Sequence, residues 1–149
     1  MSNRVIFIDS KVTKYQELIA QAPVDSEVLL LNAEQDGVMQ IAAALRGKKD
    51  IGSIDIISHG SPGTIMFGSG VLNSDNINAY AEQLTNSGLH LIGEGNILLY
   101  GCEVAKGIIG QKFINRIAAL TNANVAASTD LTGHADLGGN WRLEYSCGK

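Results

Sequence analysis

Short apolar runs alternate with stretches of helical periodicity along the whole chain. Arg4–Asp9 (RVIFID) predicts a first strand. Thr13–Ala22 carries Leu18, Ile19 and Ala22 at helical spacing, with Pro23 just beyond as a stop. Glu27–Asn32 (EVLLLN) predicts a second strand, and its apolar run is continuous. Gly37–Arg46 repeats Val38, Ile41, Ala42 and Leu45 along one helical face, and Gly47 stands where a helix end favours glycine. Ser53–Ser58 (SIDIIS) predicts a third strand. A small hairpin is expected next, pairing Thr64–Phe67 with Val71–Leu72 around Gly68-Ser69-Gly70. Asn73 or Ser74 caps a helix reaching about Asn86. Asn96–Tyr100 (NILLY) predicts a fourth strand. Ile108–Thr121 predicts a helix with Ile109, Phe113, Ile117 and Leu120 on one face. Asn124–Ser128 predicts a fifth strand and Trp141–Tyr145 a sixth.

Strands that are apolar on both faces and separated by helices imply an α/β domain. Its sheet of about six strands is mostly parallel, with helices on both faces. No repeat, low-complexity tract or linker divides the chain, so residues 1–149 read as one domain. Aromatic residues are only 5% of the chain, which requires an aliphatic core, and the 17 glycines point to tight turns at strand ends. The net charge is −4 and Lys48-Lys49 is the sole adjacent basic pair, so no nucleic-acid partner is expected. No apolar run approaches the roughly 20 residues of a membrane helix, so no membrane insertion is expected. Met1–Ser10 reads as a strand rather than a signal peptide, and export as part of a longer protein stays open.

In an open α/β sheet, functional groups gather beyond the carboxyl ends of the strands. Those ends are Ser58-His59-Gly60-Ser61, Gly101-Cys102-Glu103 and Ser128-Thr129-Asp130. If the third and fourth strands are neighbours, His59 and Cys102 enter one crevice. That pairing suits nucleophilic catalysis. A free thiol, with pKa about 8.5, is mostly protonated at neutral pH, and a nearby imidazole can take its proton. Gly60 and Gly101 let backbone approach a substrate closely. The N–H groups of Gly60 and Cys102 are candidate donors to an oxyanion.

An apolar strand ending in His-Gly, followed by one ending in a small residue and Cys, resembles the caspase-like (clan CD) cysteine peptidases. These include caspases, gingipains, clostripain, separase and CHAT domains. The resemblance implies a caspase-like three-layer sandwich with His59 and Cys102 as the catalytic pair. The wider context SHGSPGTIMFGSGVL, ILLYGCEVA, VAASTD and LGGNWRLE is similar to a domain of unknown function. That domain occurs near the start of very large, repeat-rich bacterial surface proteins and adhesins. This likeness runs from Val5 to Glu144. Gly-Cys-Glu-Val stands where caspases have Gln-Ala-Cys-Arg-Gly, and the chain is shorter than most such peptidases.

The resulting expectation is a cysteine endopeptidase domain with a polypeptide substrate, its own longer chain or a partner, and no cofactor. The rival expectation is a non-catalytic recognition or capping module of a surface adhesin. Several relatives that prefer basic residues place acidic groups near the nucleophile. Asp130 and Glu103 are the candidates here for binding a basic side chain, although Asp130 equally suits a turn cap. His59, Cys102 and His134 lack the compact spacing of a metal site, and no acidic cluster suggests calcium. Cys147 is expected exposed or frayed, His90 solvated, and Trp141 in the core. The Gly-rich loop Thr132–Gly139 is expected to border the cleft. No Gly-x-Ser-x-Gly elbow supports a serine hydrolase. The two cysteines do not form a disulfide framework, and a single bridge between them stays open. Oligomeric state is not legible.

Overall fold

The structure, a computed structural model, describes residues 4–12, 15–22, 24–129 and 143–148. In chain order its elements are β1 (Arg4–Asp9), α1 (Tyr15–Gln21), β2 (Ser26–Leu31), α2 (Gly37–Leu45) and β3 (Ile51–Ile57). Then come β4 (His59–Ser61), β5 (Thr64–Phe67), β6 (Gly70–Asn73), a 3-10 turn (Ile77–Tyr80) and α3 (Ala81–Gly88). Last are β7 (Leu91–Tyr100), α4 (Gly107–Thr121), β8 (Asn124–Ala127) and β9 (Tyr145–Cys147).

The large sheet runs β2-β1-β3-β7-β8-β9. Its first five members are parallel, and β9 adds an antiparallel edge on β8. The apolar runs follow from burial on both faces. Val5 and Phe7 of β1 join the main core while Ile6 and Ile8 are buried on the reverse face. The main core is closed by Val38, Ile41 and Leu45 of α2, Leu84 of α3, and Phe113, Ile114, Ile117 and Ala118 of α4. The order runs from β1 out to β2 and then back across to β3. Right-handed crossovers therefore place α1 on the face opposite α2, α3 and α4.

Four expectations need correction. Asn73 or Ser74 is expected to cap a helix, yet Asn73 ends β6 and the helical segment opens at Ile77 as the 3-10 turn before α3. Ile109 was placed on the buried face of α4, yet it is 65% exposed. The buried stripe is Gly110, Phe113, Ile114, Ile117, Ala118 and Thr121. Gly110 presses so close that a β-carbon there would lie 2.4 Å from the Ala105 carbonyl carbon, and this contact turns Ile109 outward. His90 is half-buried rather than solvated. Its Nδ1 lies 2.7 Å from the Lys48 carbonyl oxygen, and its own carbonyl accepts the Ile51 N–H, as β7 starts earlier than the pattern suggests. Cys147 is not frayed: it pairs with Val125 and packs against the core.

A second, antiparallel sheet, β4-β5-β6, stands beside the first. The expected hairpin is its β5–β6 half, and the residues after β3 supply a third strand. Pro62-Gly63 turns β4 into β5, with Gly63 at φ 69° as a type II turn requires. Ile65, Phe67 and Leu72 bury this small sheet against the main core.

Polar groups pin the layers together. On the reverse face Arg4 pairs with the buried Asp55, which also accepts from Ser53 Oγ at 2.6 Å. Asp36 caps α2 by accepting the Met39 N–H at 3.2 Å and also receives the Tyr80 hydroxyl. That hydrogen bond, then burial and the Asp36 charge, raises the Tyr80 phenol above its ordinary 10.0. A phenol raised by folding contributes stability that is whole below about pH 10 and is lost as pH climbs through the folded value. Tyr80→Phe should therefore melt below wild type at pH 8, and the gap should shrink above pH 10. Thermal melts across that range check the sign.

Candidate functional site

The site begins where β3 and β7 end side by side. Their pairing runs from Ser53 with Asn96 to Ile57 with Tyr100, as expected for neighbouring strands. Ser58 N–H then donates to the Tyr100 carbonyl at 3.2 Å, so the two chains leave the sheet together. His59 opens β4, and Gly101-Cys102 opens a tight turn that reaches Ala105.

Glycine is required at the meeting of these segments. A β-carbon on Gly60 would lie 2.5 Å from Val104 Cγ2 and 3.1 Å from the Cys102 carbonyl oxygen. One on Gly101 would lie 2.9 Å from the same Val104 methyl and 3.6 Å from Gly60 Cα. The fully buried Val104 thus occupies the space that both side chains would need. Its carbonyl accepts the Gly63 N–H at 2.9 Å, and Ala105 N–H donates to the Ser128 carbonyl at 2.9 Å. The cysteine turn is therefore tied to the small sheet on one side and to the end of β8 on the other. Glu103, directly after the cysteine, is held at φ 58°, a left-handed conformation uncommon outside glycine and concentrated at functional sites.

His59 is exposed, and its Nε2 lies 3.0 Å from the Lys11 carbonyl oxygen. A carbonyl only accepts, so Nε2 carries the proton and, in the neutral ring, Nδ1 is left as the basic nitrogen. In the hairpin ladder Gly60 faces Ile65 one step from the Ser61–Thr64 turn pair. Ladder alternation turns its N–H away from β5. Cys102 is half-buried, and neither it nor Cys147 is in a disulfide.

Sequence reasoning missed Asp9, which closes β1 and is fully buried. Its Oδ1 accepts the Lys11 N–H at 2.8 Å and its Oδ2 accepts the Gly68 N–H at 2.8 Å. The signal was present: an ionisable residue ends an otherwise apolar strand, on the same sheet edge as His59. Glu144 was also passed over. It accepts from Ser128 Oγ at 3.1 Å and from the Thr129 N–H at 3.0 Å.

Of the two carboxylates expected to bind a basic side chain, Glu103 is ion-paired with Lys106 at 2.7 Å. Asp130 lies outside the described residues, as do His134, the loop Thr132–Gly139 and Trp141. Among the described residues, no three His, Cys, Asp or Glu side chains gather as a metal site. No described helix is long and apolar enough to cross a membrane.

These features define an α/β domain whose mixed, mostly parallel sheet brings a His-Gly and a Gly-Cys segment together at one edge. The chain belongs to the family described as Domain of unknown function (DUF4347), which matches residues 5–149. No curated protein matches it.

Gly68 links this region to the rest of the fold. It sits at φ 61°, and a β-carbon there would lie 2.0 Å from the Gln35 carbonyl oxygen. Gly68→Ala should cost about 3 kcal/mol or more. Gly93, which has nothing within 4 Å of a β-carbon, should accept alanine within about 0.5 kcal/mol. Urea unfolding of the two variants measures the contrast.

Proposed function

We propose that this chain is a caspase-like cysteine endopeptidase domain, with Cys102 as nucleophile and His59 as acid and base. The observation that carries this reading is the main-chain contact between Gly60 and the Gly101-Cys102 turn at the carboxyl ends of two neighbouring parallel strands. Two chemically competent residues follow directly from that contact, on segments that cannot drift apart without disturbing Val104.

The proposed reaction uses protein groups throughout. His59 Nδ1 takes the Cys102 thiol proton, and the thiolate attacks the scissile carbonyl carbon. The oxygen of the tetrahedral intermediate takes the negative charge and receives the N–H groups of Gly60 and Cys102. The imidazolium returns its proton to the departing amine as the C–N bond breaks, leaving a thioester. Water, deprotonated by Nδ1, attacks the thioester carbonyl, and the acid product leaves as the thiol re-forms. The carbonyl of Lys11 keeps Nε2 occupied as a donor, which reserves Nδ1 for these transfers.

The substrate is a polypeptide, the longer chain that carries this domain or a partner protein. A preference for Arg or Lys before the scissile bond would draw on Asp130, since Lys106 already partners Glu103. Fluorogenic peptides bearing Arg, Lys, Asp or Leu at that position test the preference on wild type and Asp130→Asn. Better cleavage of the Asp or Leu peptides, or an unchanged preference in the variant, would remove it.

Cys102→Ala and His59→Ala should each lower turnover by about 10³-fold or more with circular dichroism unchanged. Gly60→Ala, which forces β4 off the cysteine turn, should lower kcat by about 10²-fold. A brief iodoacetamide pulse on the folded protein should label Cys102 before Cys147. Full turnover in Cys102→Ala, or labelling confined to Cys147, would sink the reading and leave the recognition-module alternative.

A further inference from the structure

We propose that Asp9 is the positioning residue of this site. Its single carboxylate holds both the turn after β5, the strand that pairs with His59, and the main chain of Lys11, whose carbonyl meets the His59 ring. Its consequence for turnover rests on the peptidase reading above; its consequence for the ring does not.

Two routes lead from the imidazole back to Asp9. The first runs through the ring. Nε2 meets the Lys11 carbonyl at 3.0 Å, and the Lys11 N–H is fixed by Asp9 Oδ1 at 2.8 Å. Val12 N–H also donates to the Asp9 carbonyl at 3.0 Å, so the chain doubles back directly after β1 and presents the Lys11 carbonyl outward. The second runs through the backbone. His59 pairs with Met66 on β5, and the turn after β5 is gripped where Gly68 N–H donates to Asp9 Oδ2 at 2.8 Å. Lys11 Nζ donates to the Gly68 carbonyl at 2.6 Å and closes the circuit. A turn alone needs one oxygen of an aspartate. Here each oxygen takes a different segment, and both segments converge on one histidine. Burying a carboxyl is costly unless both oxygens are satisfied, and a plain main-chain turn would avoid the cost. The arrangement is explained if the return is a fixed imidazole.

The test measures ring order and turnover in the full chain. Relaxation of the His59 13Cε1 group reports how firmly the ring is held, independently of any assay. Asp9→Asn keeps one acceptor oxygen and should loosen the ring. Lys11→Met, at an exposed position, removes only the Nζ tie and should loosen it less. If the peptidase reading holds, kcat should fall about 10- to 100-fold in Asp9→Asn with KM nearly unchanged, as misorientation rather than lost binding predicts. A His59 ring as ordered in folded Asp9→Asn as in wild type overturns the inference. Should Asp9→Asn fail to fold, Asp9→Glu, which carries the carboxylate one methylene away from the Lys11 and Gly68 N–H groups, decides, and an unchanged ring there overturns it. A wild type with no turnover at all defeats the peptidase reading, while the ring comparison still judges Asp9.

Discussion

The close packing of two chain reversals over Val104 is the constraint on which the site depends. A side chain on Gly60 or Gly101 would force a shift, because one valine methyl lies 2.5 and 2.9 Å from the two missing β-carbons. The methyl belongs to a fully buried residue of the main core, so the contact shares the close packing of the interior around it. The main-chain positions of His59 and Cys102, next to these glycines, are thereby set by packing.

The small antiparallel sheet extends this packing outward. Its buried face, Ile65, Phe67 and Leu72, belongs to the same core as the parallel sheet. Its far turn, at Gly68, receives Asp9 from β1 and approaches the capping region of α2 around Asp36 and Gly37. A histidine that would otherwise sit in a loop thus becomes part of a braced strand. Functional groups placed on rigid elements hold their geometry better than groups on free loops.

The two thiols occupy different kinds of position. Cys147 lies in the edge strand β9, beside Val125 and against the core. Cys102 lies in a turn beyond a strand end, preceded by a glycine and followed by a residue in a left-handed conformation. The first placement suits packing. The second lies beyond the carboxyl end of a parallel strand, the edge at which open α/β sheets gather their functional groups.

Much of the fold was legible in the residues alone. The continuous apolar runs of β1, β2 and β3 announced a sheet covered on both faces, and the strand ends announced that the His-Gly and Gly-Cys segments leave the same edge of the sheet. Those features are local: they depend on periodicity and on which residue follows an apolar run. Other features were set by contacts between distant segments. Gly110 against Ala105 rotated the buried stripe of α4 and turned Ile109 to the surface. The pairing of Ile51 with Leu91 drew the chain after His90 into β7 earlier than its polar and glycine residues suggested. Pairing with Val125 made a structural residue of Cys147 near the chain end. Asp9 showed in the sequence only as a polar end to a strand. Its bonds to Lys11 and Gly68, and through them to His59, required segments 59 residues apart to meet, and no local pattern encodes such a meeting.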